Sequence, residues 1–212
     1  MGFNEAGNIE NTQEYKQNVY WDMMESPIRC QWRGIQDETY QRYHDEEWGV
    51  PVHNDPSLFE AMILDGFQAG LSWISILKKR ENFRKAFDNF SAERISQYDR
   101  QKVEELMKNP GIIRNSLKIN GAIKNANLFL VVEEEFGSFD AYIWDFVGGM
   151  TRKNGWESED EIPTTSVESN RMSRDLKGRG FTFVGSTICY AFMQATGMVN
   201  DHITKCFRYD EV

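Results

Sequence analysis

The sequence predicts an all-α domain, and three observations predict it. Apolar residues recur at helical spacing in segment after segment, strand-like alternation is weak, and segment boundaries carry helix caps. Asp55-Pro56 offers an N-cap with proline at the first helical position, and Leu58, Phe59, Met62 and Ile63 follow at helical spacing. Asp99 caps a second segment that places Val103, Leu106 and Met107 on one face. Leu117, Ile119, Ile123, Ala126 and Leu130 mark a third, weakened by Gly121. Tyr142, Ile143, Phe146 and Val147 form a short one. Arg171 to Lys177 runs into Gly178 and Gly180, which can end a helix, and Ile188 to Ala195 is strongly apolar. Between them, Gly148 to Pro163 holds glycines and an acidic run and reads as a surface loop.

The chain has 212 residues, the size of one domain, and its 40% apolar content fills a core without disulfides. Residues 1–28 begin polar and acidic and read as an extension, with a partly helical stretch around Tyr20 to Met24; residues 29–212 form the domain. No apolar run approaches the roughly 18 residues that span a membrane. Three sparse cysteines without a secretory leader point to a reducing cytoplasm. The net charge of −9 argues against nucleic acid only on average, since phosphate binding depends on local patches. Two basic clusters are candidates, Lys78, Lys79, Arg80, Arg84 and Lys85, and Arg171, Arg174, Lys177 and Arg179. Each reads equally well as a solvated helix face.

Cysteine and histidine fall into a pattern. Cys30 and His44 lie near one end of the domain, and His202 and Cys206 near the other at i,i+4 spacing, which on a helix puts both on one face. Two thiolates and two imidazoles are a tetrahedral zinc set with no position left for an activated water, so such a zinc would be structural and would fasten the two ends of the fold. Unlinked buried residues are the alternative on spacing alone. Cys189 reads as core, and His53 as an exposed loop residue.

Leu176 to Thr187 joins two predicted helices through Gly178, Gly180 and Gly185. Such a hairpin exposes amides, and the helix that starts near Ser186 offers free N–H groups to an anion such as a DNA phosphate, or else the segment is an ordinary helix–helix turn. Asn109-Pro110-Gly111 poses the same choice.

Taken together, Tyr43-His44-Asp45-Glu46-Glu47-Trp48-Gly49-Val50-Pro51, Gly66-Phe67-Gln68-Ala69-Gly70-Leu71-Ser72-Trp73, Pro110-Gly111-Ile112-Ile113-Arg114, Lys177 through Gly185, and Met198-Val199-Asn200-Asp201-His202 resemble the bacterial 3-methyladenine DNA glycosylase I family. The resemblance runs from about Arg29 to Phe207. It implies a helix-hairpin-helix fold, hydrolysis of an N-glycosidic bond, double-stranded DNA with alkylated bases as partner, and zinc on Cys30, His44, His202 and Cys206. It places base-pocket aromatics on Trp32, Tyr40, Tyr43 and Trp73, and brings Gln68, Gly70 and Leu71 to the gap left by the extruded base. The hairpin's DNA contacts fall on Gly180, Gly185, Ser186 and Thr187, with Lys177 and Arg179 flanking. Where the family carries Glu before the Gly-x-Gln-Ala-Gly segment to hold the base, this chain carries Asp65, a carboxylate on a stem one methylene shorter.

These groups suit the chemistry. A base inside DNA must be extruded into a pocket at a cost of a few kcal/mol. 3-Methyladenine in DNA is a cation, attracted to aromatic faces such as Trp73 and Tyr43 and to a carboxylate such as Asp65; neutral adenine gains less from both. The lysine that related strand-nicking enzymes carry after the hairpin is replaced by Ser186-Thr187, which predicts a monofunctional enzyme. Asn200 and Asp201 lie near the place where related enzymes use an Asp, without a firm alignment. A monomer is the expected state. Two other readings remain open: a non-catalytic lesion binder, motivated by Asp65, and a zinc-stabilised interaction module, motivated by the net charge.

Overall fold

The computed structural model describes residues 27–212, so the stretch around Tyr20 to Met24 lies outside the described residues. The fold is helical, as expected. Its elements are α1 (Glu38–Glu46), α2 (Asp55–Gln68), α3 (Trp73–Leu77), α4 (Arg80–Ala86), α5 (Ala92–Ile95), α6 (Arg100–Lys108), α7 (Ser116–Phe136), α8 (Phe139–Trp144), α9 (Val167–Arg179) and α10 (Ser186–Ala195). Two short strands, β1 (Arg152–Lys153) and β2 (Val199–Asn200), pair in parallel and tie the loop after α8 to the chain after α10.

The caps show how local chemistry sets these boundaries. Asp99 caps α6 by accepting from the Lys102 amide, as the sequence indicates. At α2 the cap is one residue earlier than expected. Asn54 accepts from the Ser57 amide, and Asp55 is helical, its carboxylate receiving the Phe139 and Asp140 amides at the start of α8. Gly178 stays within α9, which ends instead at Gly180, held at φ +100°. No side-chain bond caps the start of α10, so its first amides are unclaimed by a cap.

One large core is built by α2, α7, α9 and α10, with Phe59, Phe67, Ile119, Phe129, Met172 and Met193 almost fully buried. A smaller cluster of Cys30, Tyr43, Trp48, Leu77, Ile203 and Cys206 joins the first described residues to the C-terminal segment, flanked by Trp32 and Tyr40. The glycine that weakens α7 in the sequence has a packing reason. A Cβ at Gly121 would lie 2.7 Å from the Phe183 ring, so only glycine lets the α9–α10 hairpin sit against the helix.

Candidate functional site

At the junction of the two clusters lies a cavity of about 550 Å³, a size suited to one small ligand. Trp32, Tyr40, Tyr43, Trp48 and Trp73 form its aromatic side, Asp65 and Gln68 come from the end of α2, and Thr187, Tyr190 and Gln194 from α10. The loop between Gly148 and Pro163 is more than surface, because Ile162 and Pro163 close one wall. Tyr43 and Trp73 stand 5.5 Å apart between ring centroids at 57°, splayed rather than stacked on each other.

Two buried polar atoms of the residues lining this cavity have no protein partner: Asp65 Oδ2 and Trp73 Nε1. An unpaired buried donor or acceptor costs about 1–3 kcal/mol, so such atoms mark strain or a missing ligand. Asp65 is 2% exposed, and burial pushes its carboxyl well above the usual carboxylate range. Burial also raises the Tyr43 hydroxyl well above its ordinary value, with the nearby Asp65 adding to the effect. The site thus presents ring edges and faces, one orphan acceptor and one orphan donor.

Gly70 and Leu71 do not line the cavity; both are exposed, on the turn just beyond α2. Gly70 sits at φ +79°, and Leu71 is 44% exposed despite its apolar side chain. The hairpin from Phe181 to Gly185 is fixed by Asn125, whose amide donates to the Thr182 carbonyl at 2.9 Å and whose oxygen accepts from the Thr182 amide at 2.9 Å. Asn125 is a clamp that sequence reasoning missed, because its partner lies far along the chain. Ser186 is tied to Asn170 and Ser169, while Thr187 is exposed at the cavity.

The two basic clusters differ in how their charges are paired. Lys78 pairs with Asp37, Arg80 with Glu47, and Arg84 with Glu60 and Glu81, so most of the first cluster is neutralised. Arg179 is held by Glu135 and Asp175. Arg171 donates to the Asp145 and Phe146 carbonyls. Lys177 and Arg174 are exposed and carry no carboxylate partner among the described residues. Lys124, absent from the sequence reading, reaches the hairpin, its Nζ lying 3.8 Å from where a Cβ at Gly180 would be.

Behind the aromatic side, Cys30, His44, His202 and Cys206 come together, fully or nearly fully buried, with ligand atoms all within 4.8 Å of one another. This group could hold a metal ion, and the ring tautomers suit it. His44 Nδ1 donates to Asp45 at 2.8 Å, leaving Nε2 toward Cys206 at 3.5 Å. His202 Nε2 donates to the Trp48 carbonyl at 3.0 Å, leaving Nδ1 toward Cys206 at 3.4 Å and Cys30 at 3.6 Å. Outer partners of this kind fix ring orientation in metal sites. Asp45 is itself held by Arg29 at 2.7 Å. Hydrogen bonding with Cys30, then with the two imidazoles, holds the Cys206 thiol far below its ordinary value. His202 and Cys206 are not on a helix, contrary to the spacing argument. A turn in which the Cys206 amide donates to the Ile203 carbonyl brings them together. Cys189 is core, as expected, and burial pushes its thiol up to about 12. His53 is exposed and stacks on Trp144 with its Nδ1 against Asp140.

Asp201 does not line the cavity. It is fully buried, and its oxygens accept from Asn154 Nδ2 and Trp156 Nε1, each at 2.7 Å, and from Tyr190 Oη at 2.7 Å and Gln194 Nε2 at 2.8 Å. It ties the loop before α9 to the cavity wall.

Comparison with known proteins decides the kinship. The family model described as "Methyladenine glycosylase" matches residues 32–209. The chain belongs to this family. It is 45% identical to DNA-3-methyladenine glycosylase 1 of Escherichia coli over 181 residues, 85% of this chain and 96% of that protein. It is 42% identical to DNA-3-methyladenine glycosylase of Haemophilus influenzae, covering 84% of this chain and 96% of that protein. A crystal structure of 3-methyladenine DNA glycosylase I superposes with a TM-score of 0.83 at 49% identity, covering 85% of this chain and 98% of that one. A Staphylococcus aureus structure described as the basis of 3-methyladenine recognition by that enzyme gives 0.80 at 33% identity, with 82% and 93% covered. No described helix is long and apolar enough to cross a membrane.

Proposed function

We propose that this member of the methyladenine glycosylase family takes an alkylated base from duplex DNA into the cavity beside Asp65 and hydrolyses its N-glycosidic bond to release 3-methyladenine. The observation that carries the reading is the orphaned, buried Asp65 oxygen in an aromatic cavity. A buried carboxyl held neutral by desolvation is costly to ionise alone but ionises readily against a cation. The methylated base in DNA brings that cation, and adenine does not. Tyr43 and Trp73 offer their faces to the same charge. Trp73 Nε1 supplies a donor to a ring nitrogen or a bound water. Discrimination is therefore a difference in binding, expressed in kcat/KM.

A cationic base is a good leaving group, so the site need not protonate it. The chain's work is to extrude the base, orient it and admit a water to the sugar. Asp65, one methylene shorter than the family Glu, keeps the carboxylate at the end of α2. Ser186 and Thr187 follow the hairpin, where strand-nicking relatives carry lysine, so cleavage stops at an abasic site. The uncapped start of α10, with Gly180, Gly185 and Lys177, receives a DNA phosphate. Zn²⁺ suits the Cys₂His₂ donor set, where it would be structural and hold the N-terminal segment carrying Trp32. The monomer accommodates one duplex.

Methylated duplex DNA incubated with the protein tests this reading through the bases released. Free 3-methyladenine with no strand scission is expected. Tight binding to abasic DNA with no base release would instead establish a lesion binder.

A further inference from the structure

Lys118 stands where helix electrostatics disfavour a cation. It is the third residue of α7, in the first turn, where the helix dipole favours negative charge. It is also 8% exposed, and burial lowers its ammonium from the usual lysine value. No carboxylate pairs with it among the described residues. Its ammonium donates instead to two backbone carbonyls at the end of α2, Phe67 O at 2.8 Å and Ala69 O at 2.7 Å. The Phe67 carbonyl belongs to the last turn of α2, whose negative end attracts a cation.

The second carbonyl belongs to the turn that follows. The Leu71 amide donates to the Gln68 carbonyl at 2.6 Å. Ala69 has φ −44° and ψ 114°, and Gly70 has φ +79°. Those angles make Gln68 to Leu71 a type II turn. Types I and II differ by a flip of the central peptide, here the one between Ala69 and Gly70. Its carbonyl is the one Lys118 holds. One ammonium therefore ties the Phe67 carbonyl in the last turn of α2 to the peptide plane that decides where Leu71 points.

We propose that Lys118 is a positioning residue for base extrusion: it locks the Gln68–Leu71 turn so that exposed Leu71 meets the duplex in register with the cavity behind it. This rests on the proposed base excision. Neither Lys118 nor the two carbonyls it holds lines the cavity, so these bonds touch no base already bound there. Removing them therefore slows excision from duplex DNA, where the base must be unstacked, and spares the affinity for a free base.

The test uses the full metal-loaded chain and Lys118→Met, which keeps the aliphatic stem. Single-turnover release of 3-methyladenine from duplex DNA is expected to slow roughly tenfold or more, in line with the cost of misplacing a reacting assembly. Affinity for free 3-methyladenine is expected to stay within about twofold, and the defect to shrink when the lesion lies opposite an abasic site, where unstacking is easier. Gly70→Ala provides a second route if the first variant does not fold. A Cβ there meets no atom within 4 Å, so the change acts on the φ +79° backbone alone, and the same pattern is expected. Wild-type rates from duplex in either folded variant, or an equal loss of free-base affinity, would overturn the role of Lys118. A wild-type protein that releases no base would overturn the excision reading itself.

Discussion

Asp65 and Asp201 are buried to the same degree, yet one is left wanting and the other is saturated. Asp201 receives four side-chain donors from the loop before α9 and from α10. Asp65 keeps an oxygen with no protein partner, at the wall of a cavity. The group of Cys30, His44, His202 and Cys206 lies on the Asp201 side of this divide, each ring nitrogen answered by a carboxylate, a carbonyl or a thiol. A satisfied buried polar group reports how the fold is held. An unsatisfied one reports what the fold waits for. The same substitution should therefore have opposite consequences in the two regions.

The largest effect is expected in the satisfied region, at the metal group. If the group holds zinc as proposed, Cys206→Ser or a chelator removes a contribution that in small zinc modules is on the order of 10 kcal/mol of apparent binding energy. Trp32 packs edge-on against His44, with centroids 4.9 Å apart, and Trp48 against His202 at 4.6 Å. Loss of the ion should thus lower the melting temperature, change tryptophan emission and weaken base release together. Calorimetry and fluorescence on matched loaded and stripped samples measure this. An unchanged melting curve after verified metal removal would show that the four residues pack without needing an ion.

Next comes Asp65→Asn. Base release should fall by about 10²–10³, the range for removing one electrostatic group from a preorganised site. Stability should move the other way. In the folded state burial raises the Asp65 carboxyl, so over the window above the unfolded value near 4 the native protein holds a proton that the unfolded chain has released. Its stabilising contribution is full below that value and is lost as pH rises through the folded value. Asn escapes this loss, so the variant should gain in melting temperature over wild type as pH increases. Wild-type kcat/KM should rise over the same range, because the carboxylate is the form that pairs with a cationic base. Parallel pH series of melting and base release check both signs, and equal melting curves at every pH would remove the buried charge from the account.

How much of this was legible in the sequence depends on whether a residue's partner is near or far along the chain. The Asp99 cap is local and legible in the sequence; the α2 cap lies one residue before the sequence signal because Asp55 serves the distant α8 amides. The metal group was visible through residue types and order, although the i,i+4 spacing of His202 and Cys206 suggested a helix where the chain makes a turn. The cavity aromatics and Asp65 emerged from motif resemblance, and the structure brings them together. Lys118 and Asn125 were invisible, since their partners lie 49 and 57 residues away and neither belongs to a local pattern. Gly121 looked like a flaw in α7 until Phe183 accounted for it.

The smallest effect is expected from Asp201→Asn, and it sharpens the comparison most. The amide is nearly isosteric, but one of its ends donates rather than accepts. Asn154 and Trp156 meet one oxygen of Asp201, and Tyr190 and Gln194 the other, so the new –NH₂ either faces Trp156 Nε1, which can only donate, or forces Tyr190 and Gln194 to turn from donor to acceptor. A buried group left without its partner costs about 1–3 kcal/mol. The urea midpoint should fall with its slope unchanged, the mark of altered stability without an altered denatured state. Because Tyr190 and Gln194 also line the cavity, base release should weaken modestly at temperatures well below unfolding. Asp65→Asn and Asp201→Asn would then shift stability in opposite directions at neutral pH. Two shifts of the same sign would mean that partner satisfaction does not distinguish these carboxylates.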